Sequence, residues 1–235
     1  MTIFKHKDWE NFFELDVQRI NVLIVESKTT LWRCLTELLS QINGEMGDFY
    51  LLKNFEEQSI AKFCCIETDI FGLNLNSKKL QTALIKKCAE RANSPEFAEK
   101  LKNISDKLYR FCLNVCQDVG YSIEIDDSID VAVLFKIFSV SFKESFESLL
   151  DKLIEYINIT AEFLKTKVCF FLFLSKLLTP LELDTLFEHC KYQGITLILV
   201  EDEYPKFLKN TMMNFQALII DKDDFEIVRN FKESS

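Results

Sequence analysis

The sequence predicts an α/β fold: a split α/β head with a mainly parallel sheet, interrupted by an inserted α-helical leg. Three observations predict it. Five short runs are almost continuously apolar: VLIV at 22–25, FCCI at 63–66, VCFFLFL at 168–174, ITLILV at 195–200 and ALII at 217–220. Runs that do not alternate in polarity suit parallel strands covered on both faces. Between the second and third runs lies a block of about a hundred residues that carries helical rather than strand periodicity. Gly (5) and Pro (3) are scarce in the 235 residues, so tight turns are few and long elements are favoured.

The third and fourth runs flank a well-marked helix. Thr179 suits an N-cap, Pro180 the first helical position, and Glu182 completes a capping box. Gly194 suits the stop. Strand, helix and strand joined by short links form a βαβ unit, so the two strands run parallel with a right-handed crossover. The run at 22–25 likewise leads into an apolar-periodic helix near 30–42.

The middle block reads as a helical leg. Lys78 to Ala92 forms a helix behind Ser77, with Leu80, Leu84, Cys88 and Ala92 on one face and Lys78, Lys79 and Lys86 roughly opposite. Ser94 and Pro95 start a second helix. Its Phe97, Leu101, Ile104, Leu108, Phe111 and Val115 recur as a heptad seam. A further seam, Phe142, Phe146, Leu149, Leu153, Tyr156, Thr160 and Phe163, predicts an antiparallel partner of similar length. The expected division is 1–75 with 166–235 for the head and 76–165 for the leg.

Composition narrows the function. At 48% hydrophobic and 28% charged, the chain has an ordinary globular balance and can build a core without disulfides or metals. No secretory signal is visible among Asp8, Glu10 and Glu14, and the longest apolar run is far too short for a bilayer, so a cytoplasmic protein without a membrane partner is expected. Most of the eight Cys sit in apolar runs and read as buried free thiols of a reducing compartment. Cys112 and Cys116 lack the second Cys or His pair of a zinc site. Formal net charge is −9, a poor prior for nucleic-acid binding. Yet residues 76–117 hold nine Lys/Arg against four Asp/Glu. Such a basic segment in an acidic chain needs a reason.

Catalytic constellations are scarce. Glu26-Ser27-Lys28-Thr29-Thr30 follows the first apolar run where a phosphate loop would lie, but it holds no Gly to wrap a pyrophosphate and reads as a plain strand-to-helix turn. The acids after three strands (Glu67 and Asp69; Glu201 to Glu203; Asp221, Asp223 and Asp224) suit either a two-metal nuclease or a solvated rim. His6 and His189 support no nucleophilic triad. Glu124, Asp126, Asp127 and Asp130 cluster on a bend, which suits a hard cation such as Ca²⁺, although the spacing alone favours a helix cap. The basic set Lys78, Lys79, Lys86, Lys87, Arg91, Lys100 and Lys102 suits phosphate contacts or a solvated face. Nothing in it reads bases, so any DNA binding is indifferent to sequence.

The stretch ETDIFGLNLNS at 67–77, then IEIDDSIDVAVLFKIFSV, TKVCFFLFLSKLLTPLELDTLF and GITLILVEDEY, resembles the Csn2 family of type II-A CRISPR systems. The resemblance runs in the same order over nearly the whole chain from the first strand on. It rests on pattern and short identities rather than on one signature. It implies an α/β head like a degenerate P-loop NTPase that binds no nucleotide, and a helical leg. It further implies a non-catalytic homotetrameric ring that threads double-stranded DNA ends and is stabilised by Ca²⁺. Its implied partners are the CRISPR integrase complex and the RNA-guided effector nuclease, in spacer acquisition for antiviral defence. Lys136 and Lys143 of the leg join the DNA-contacting set on this reading. The family's hinge has an acid-x-acid pair and a further acid on the next helix. Here Ser122 stands at the first position, Glu124 at the second and Val133 or a neighbour at the third, so Asp126, Asp127 and Asp130 stand as substitute ligands.

Overall fold

The computed structural model describes residues 1–126, 128–209 and 214–231. The chain divides into two compact units, Met1–Asn74 with Ser145–Ser235, and Leu75–Glu144.

The first unit is α/β with two sheets. Strands β3 (Ile20–Val25), β6 (Cys64–Glu67), β7 (Val168–Leu172), β8 (Thr196–Glu201) and β9 (Phe215–Ile220) form one sheet, in which β9, β3, β8, β7 and β6 run parallel in that order. These are the five apolar runs. Every residue of β3, β7, β8 and β9 is buried, as strands covered on both faces require. An edge strand, β10 (Glu226–Phe231), adds antiparallel to β9. The one polar residue inside β3, Asn21, is fully buried and satisfied. Its Nδ2 lies 3.0 Å from the carbonyls of Asp16, Arg19 and Leu197, and its Oδ1 accepts from Gln216 Nε2 at 2.6 Å.

The second sheet went unseen in the sequence. It is antiparallel, ordered β2 (Phe13–Leu15), β1 (Thr2–His6), β4 (Phe49–Lys53), β5 (Glu56–Gln58). Its strands are short and mixed in polarity. The hairpin between β4 and β5 turns on Asn54 and Phe55, both with positive φ (51° and 68°), where a Gly would have given the usual signal. Phe4 of β1 stacks on Phe49 of β4 at 5.2 Å and meets Phe170 of β7 at 5.1 Å, so one core joins the two sheets. Helix α1 (Lys28–Ile42) covers that core with Leu31, Cys34 and Leu38. The short α2 (Ile60–Phe63) leads into β6.

Helices α6 (Leu149–Ile159) and α7 (Pro180–Gln193) pack on one another in this unit. Asn158 Oδ1 accepts from His189 at 2.7 Å and from Gln193 at 3.0 Å. Helix α7 carries the expected capping box, with Thr179 and Glu182 each bonding the other's backbone N–H, and Gly194 ends it with φ 66°. The second heptad seam is corrected here. Residues 142 and 146 of it are not helical; α6 spans Leu149–Ile159, and a π-helical turn, Thr160–Leu164, closes it. The inserted unit ends at Glu144, not at 165, so α6 belongs to the α/β unit. Leu153 and Ile157 explain this: both are fully buried, whereas the helices of the insert bury only Leu80 and Val131, and those less completely.

The helical unit holds α3 (Lys78–Ala92), α4 (Pro95–Gln117) and α5 (Val131–Ile137), with α3 packed on both others. The starts of α3 and α4 match the sequence reading, but Ser77 and Ser94 make no side-chain capping bond, and Ser94 Oγ is buried without a partner among the described residues. No residue of α4 is buried: Ile104, Leu108, Phe111 and Val115 of its heptad seam are 49%, 38%, 66% and 50% exposed.

Candidate nucleic-acid interface

Helix α3 holds five Lys/Arg (Lys78, Lys79, Lys86, Lys87, Arg91) and one acid, Glu90. Leu80 is its one buried residue, and it faces away from Lys78 and Lys86. Lys78, Thr82 and Lys86 follow one another at i, i+4 and i+8, so they form a ladder along one face. The start of α5 is fixed by Asp130, whose Oδ1 accepts from Ala132 N–H at 2.9 Å. Helix α5 then lies beside that ladder. The two helices enclose a groove of about 600 Å³ whose walls include Lys78, Gln81, Ile85 and Lys86 of α3 and Ala132 and Lys136 of α5. Three cations predicted separately along the chain are thus brought to one concavity. Lys78 and Lys86 are about 12 Å apart along the helix axis, a span of three to four base-pair steps at about 3.4 Å each.

Glu90 is the only acid among the described residues of the groove wall. Lys86 Nζ lies 3.9 Å from Glu90 Oε1 with both side chains well exposed, a pair that holds the lysine only weakly. Lys79, Lys87, Lys100, Lys102 and Lys143 are exposed and do not line the groove. Arg91 is bonded to Glu96, and both Arg91 and Lys100 lie over the Phe97 ring, at 5.4 and 5.7 Å. They therefore brace the turn between α3 and α4. Gln81, Ile85 and Ala132 were missed from the sequence; the ladder spacing pointed to Gln81's face, but only the packing of α5 could reveal the opposite wall.

The bend acids are spread out. Glu124, Asp126 and Asp130 are exposed, and Asp127 lies outside the described residues. Asp126 Oδ1 accepts from Ser128 N–H at 2.8 Å, and that bond together with the Ser128 side chain holds its carboxyl below the usual range. Asp130 caps α5. Among the described residues the one group of three that gathers ligand atoms within 4.8 Å is His6, Glu37 and Asp48, in the α/β unit. There, His6 Nδ1 accepts from Asp8 N–H at 3.2 Å, so Nε2 carries the proton and donates to Glu37.

At the carboxyl ends of the strands, the acids are held by partners within the α/β unit. Glu67 accepts from the Tyr156 hydroxyl, and burial raises its pKa. Asp69 Oδ1 accepts from Gly72 N–H at 2.8 Å, and a Cβ at Gly72 would meet Asp69 Oδ2 at 2.1 Å, so a side chain there would push the Asp69 carboxylate aside. Glu201 Oε1 accepts from Ser175 N–H at 3.0 Å, Asp202 pairs with Lys176, and Asp224 accepts from Thr30. Only Glu26 and Ser27 separate β3 from α1, with Ser27 as N-cap, which leaves no loop to wrap a phosphate. A cavity of about 450 Å³ at the other end of β7 and β8 is lined by both signs of charge, including Glu14, Asp16, Lys53 and Lys167, so it concentrates neither.

Among the described residues, no helix is long and apolar enough to cross a membrane. A search of curated proteins finds no match. The model of the family described as CRISPR-associated protein (Cas_Csn2) matches residues 41–224, which takes in both units from the end of α1 to the hairpin before β10. By that match, and in agreement with the residues that carried the resemblance, the chain belongs to the Csn2 family of CRISPR-associated proteins.

Proposed function

We propose that the chain binds double-stranded DNA at its ends, without sequence preference and without catalysis, as a homotetrameric ring serving spacer acquisition in the cytoplasm. One observation carries the reading: Lys78, Lys86 and Lys136 converge on one groove of the helical unit in a protein of net charge −9. Cations gathered in a concavity neutralise phosphates better than the same cations scattered, and phosphate contact is the sequence-indifferent part of DNA binding. Gln81 beside them can donate to phosphate oxygens, while the Thr82 hydroxyl donates to the Lys78 carbonyl at 2.7 Å. The unburied apolar seam of α4 supports self-association, as does the family membership for work beside an integrase and an RNA-guided nuclease. The α/β unit, on this reading, is a degenerate nucleotide fold that holds no nucleotide.

Glu124, Asp126, Asp127 and Asp130 remain the proposed Ca²⁺ ligands. The described acids do not converge, so the ion would have to draw the bend together, and no step of DNA binding is routed through it.

A mobility-shift assay on one plasmid, closed circular and linearised, tests the proposal. Binding to the linear form alone is expected. Equal binding to both forms would mean an open surface rather than a ring, and cleavage of the linear form in Mg²⁺ would replace the reading with a nuclease.

A further inference from the structure

We propose that Cys65 and Cys169 form a reversible disulfide, a redox modification site of the α/β unit independent of DNA binding. The two residues are register partners on the adjacent parallel strands β6 and β7. Their Sγ atoms lie 3.1 Å apart, a contact between thiols on the same face of the sheet. Paired strands put such partners about 4.8 Å apart at Cα, inside the range of about 4.4–6.8 Å that a disulfide spans. Closing the bond to about 2.05 Å therefore requires a small side-chain shift and no strand movement.

The pair is asymmetric in a way that orders the steps. Strand β6 is the edge of its sheet, and Cys65 is half-buried there, whereas Cys169 is fully buried. The bond to Cys65 and burial hold the Cys169 thiol protonated. An oxidant thus reaches Cys65 first. The Cys65 thiolate attacks one sulfur of a small disulfide RSSR, and RS⁻ departs and takes up a proton. Cys169 Sγ then attacks Cys65 Sγ, gives its proton to the second departing RS⁻, and closes the ring. The two protein sulfurs are oxidised by two electrons, and RSSR is reduced to two RSH. The bridge joins the strand that leads into the helical insert to the strand that follows it, and the closed loop encloses every residue from 66 to 168. Long closed loops constrain the unfolded chain most, so the oxidised form melts higher. Of the other thiols, Cys112 is the exposed one, and Cys190, buried on α7, has its pKa raised to about 12 by burial and the nearby Cys65.

The test is to incubate the full chain with oxidised glutathione, alkylate it and map peptides by mass. A Cys65–Cys169 linked peptide is expected, two hydrogens lighter than its parts. It should come with a rise in Tm of several degrees, on the order of what a long-loop bridge gives, reversed by dithiothreitol. Cys65→Ser should abolish both, and Cys112→Ser should change neither. Glutathione retained on Cys65, a bridge from Cys65 to Cys190 instead, or both thiols alkylated while Cys112 is oxidised would each overturn the proposal. The peptide map of the unaltered chain decides it even where Cys65→Ser folds poorly.

Discussion

The side-chain amide of Asn76 spans the backbone of Phe142: Oδ1 accepts the Phe142 N–H at 2.8 Å, and Nδ2 donates to the Phe142 carbonyl at 3.0 Å. Glu144 adds to the same clasp by accepting the Leu75 N–H at 2.9 Å. The two ends of the helical unit are thus tied together, as the two strands of a hairpin would be, although no strand is present. Asn76→Ala should remove both part-buried bonds to Phe142 and cost about 1–3 kcal/mol. Hydrogen exchange checks it: amides of α3 and α5 should lose protection while those of β3 and β8 keep theirs. Equal loss in both units would mean that the clasp does more than close the insert.

At the start of α7, the reciprocal bonds of Thr179 and Glu182 satisfy two backbone donors that the helix cannot. Thr179→Ala should destabilise the α/β unit by about 1 kcal/mol in urea unfolding. Thr179→Ser, which keeps the oxygen, should recover most of it.

Much of the α/β unit was legible because its physics is local. Five apolar runs, a capping box and a terminal glycine state their roles in the residues themselves. The antiparallel sheet was not legible, because Phe4, Phe49 and Phe170 define one core only once distant segments meet, and Asn54-Phe55 turns a hairpin without the usual glycine. The seam from Phe142 misled for a related reason. Its 4, 3, 4 spacing continues through residues that the fold leaves without regular structure or bends into a π turn, and periodicity cannot say which surface buries it. At the interface, the lysines were legible individually. Their convergence was not, since Lys136 reaches the groove only through the packing of α5 on α3.

Glu201 is fully buried at the end of β8, and its Oε2 has no hydrogen-bond partner among the described residues. Burial pushes its carboxyl pKa above the ordinary 4.5, against the Ser175 bonds that lower it. A raised folded-state value means the contribution to stability is present below pH 4.5 and is lost as pH rises through the raised value. Glu201→Gln should therefore gain on the parent as pH rises through that window, in urea unfolding at a series of pH values. Parallel profiles would show that Glu201 titrates as it does in the unfolded chain.

Replacing Asp126 and Asp127 together by Ala should remove the response of the protein to Ca²⁺, read as the ion's protection of the oligomer against dilution in analytical ultracentrifugation. Asp130→Ala, which also strips the α5 cap, should in addition cost about 1 kcal/mol without the ion. A double variant that still responds to Ca²⁺ would place the ion elsewhere.

The most direct test of the central claim is the salt dependence of binding to linear duplex DNA with Lys78, Lys86 and Lys136 replaced together by Ala. Each phosphate contact adds about 0.9 to the slope of log K against log salt, so the loss of three should flatten it by roughly 2.7. Lys206→Ala, an exposed lysine of the α/β unit, should leave the slope unchanged. That pattern would place the phosphates in the groove between α3 and α5. A triple variant with the parent's slope would contradict the account and put the DNA on another surface.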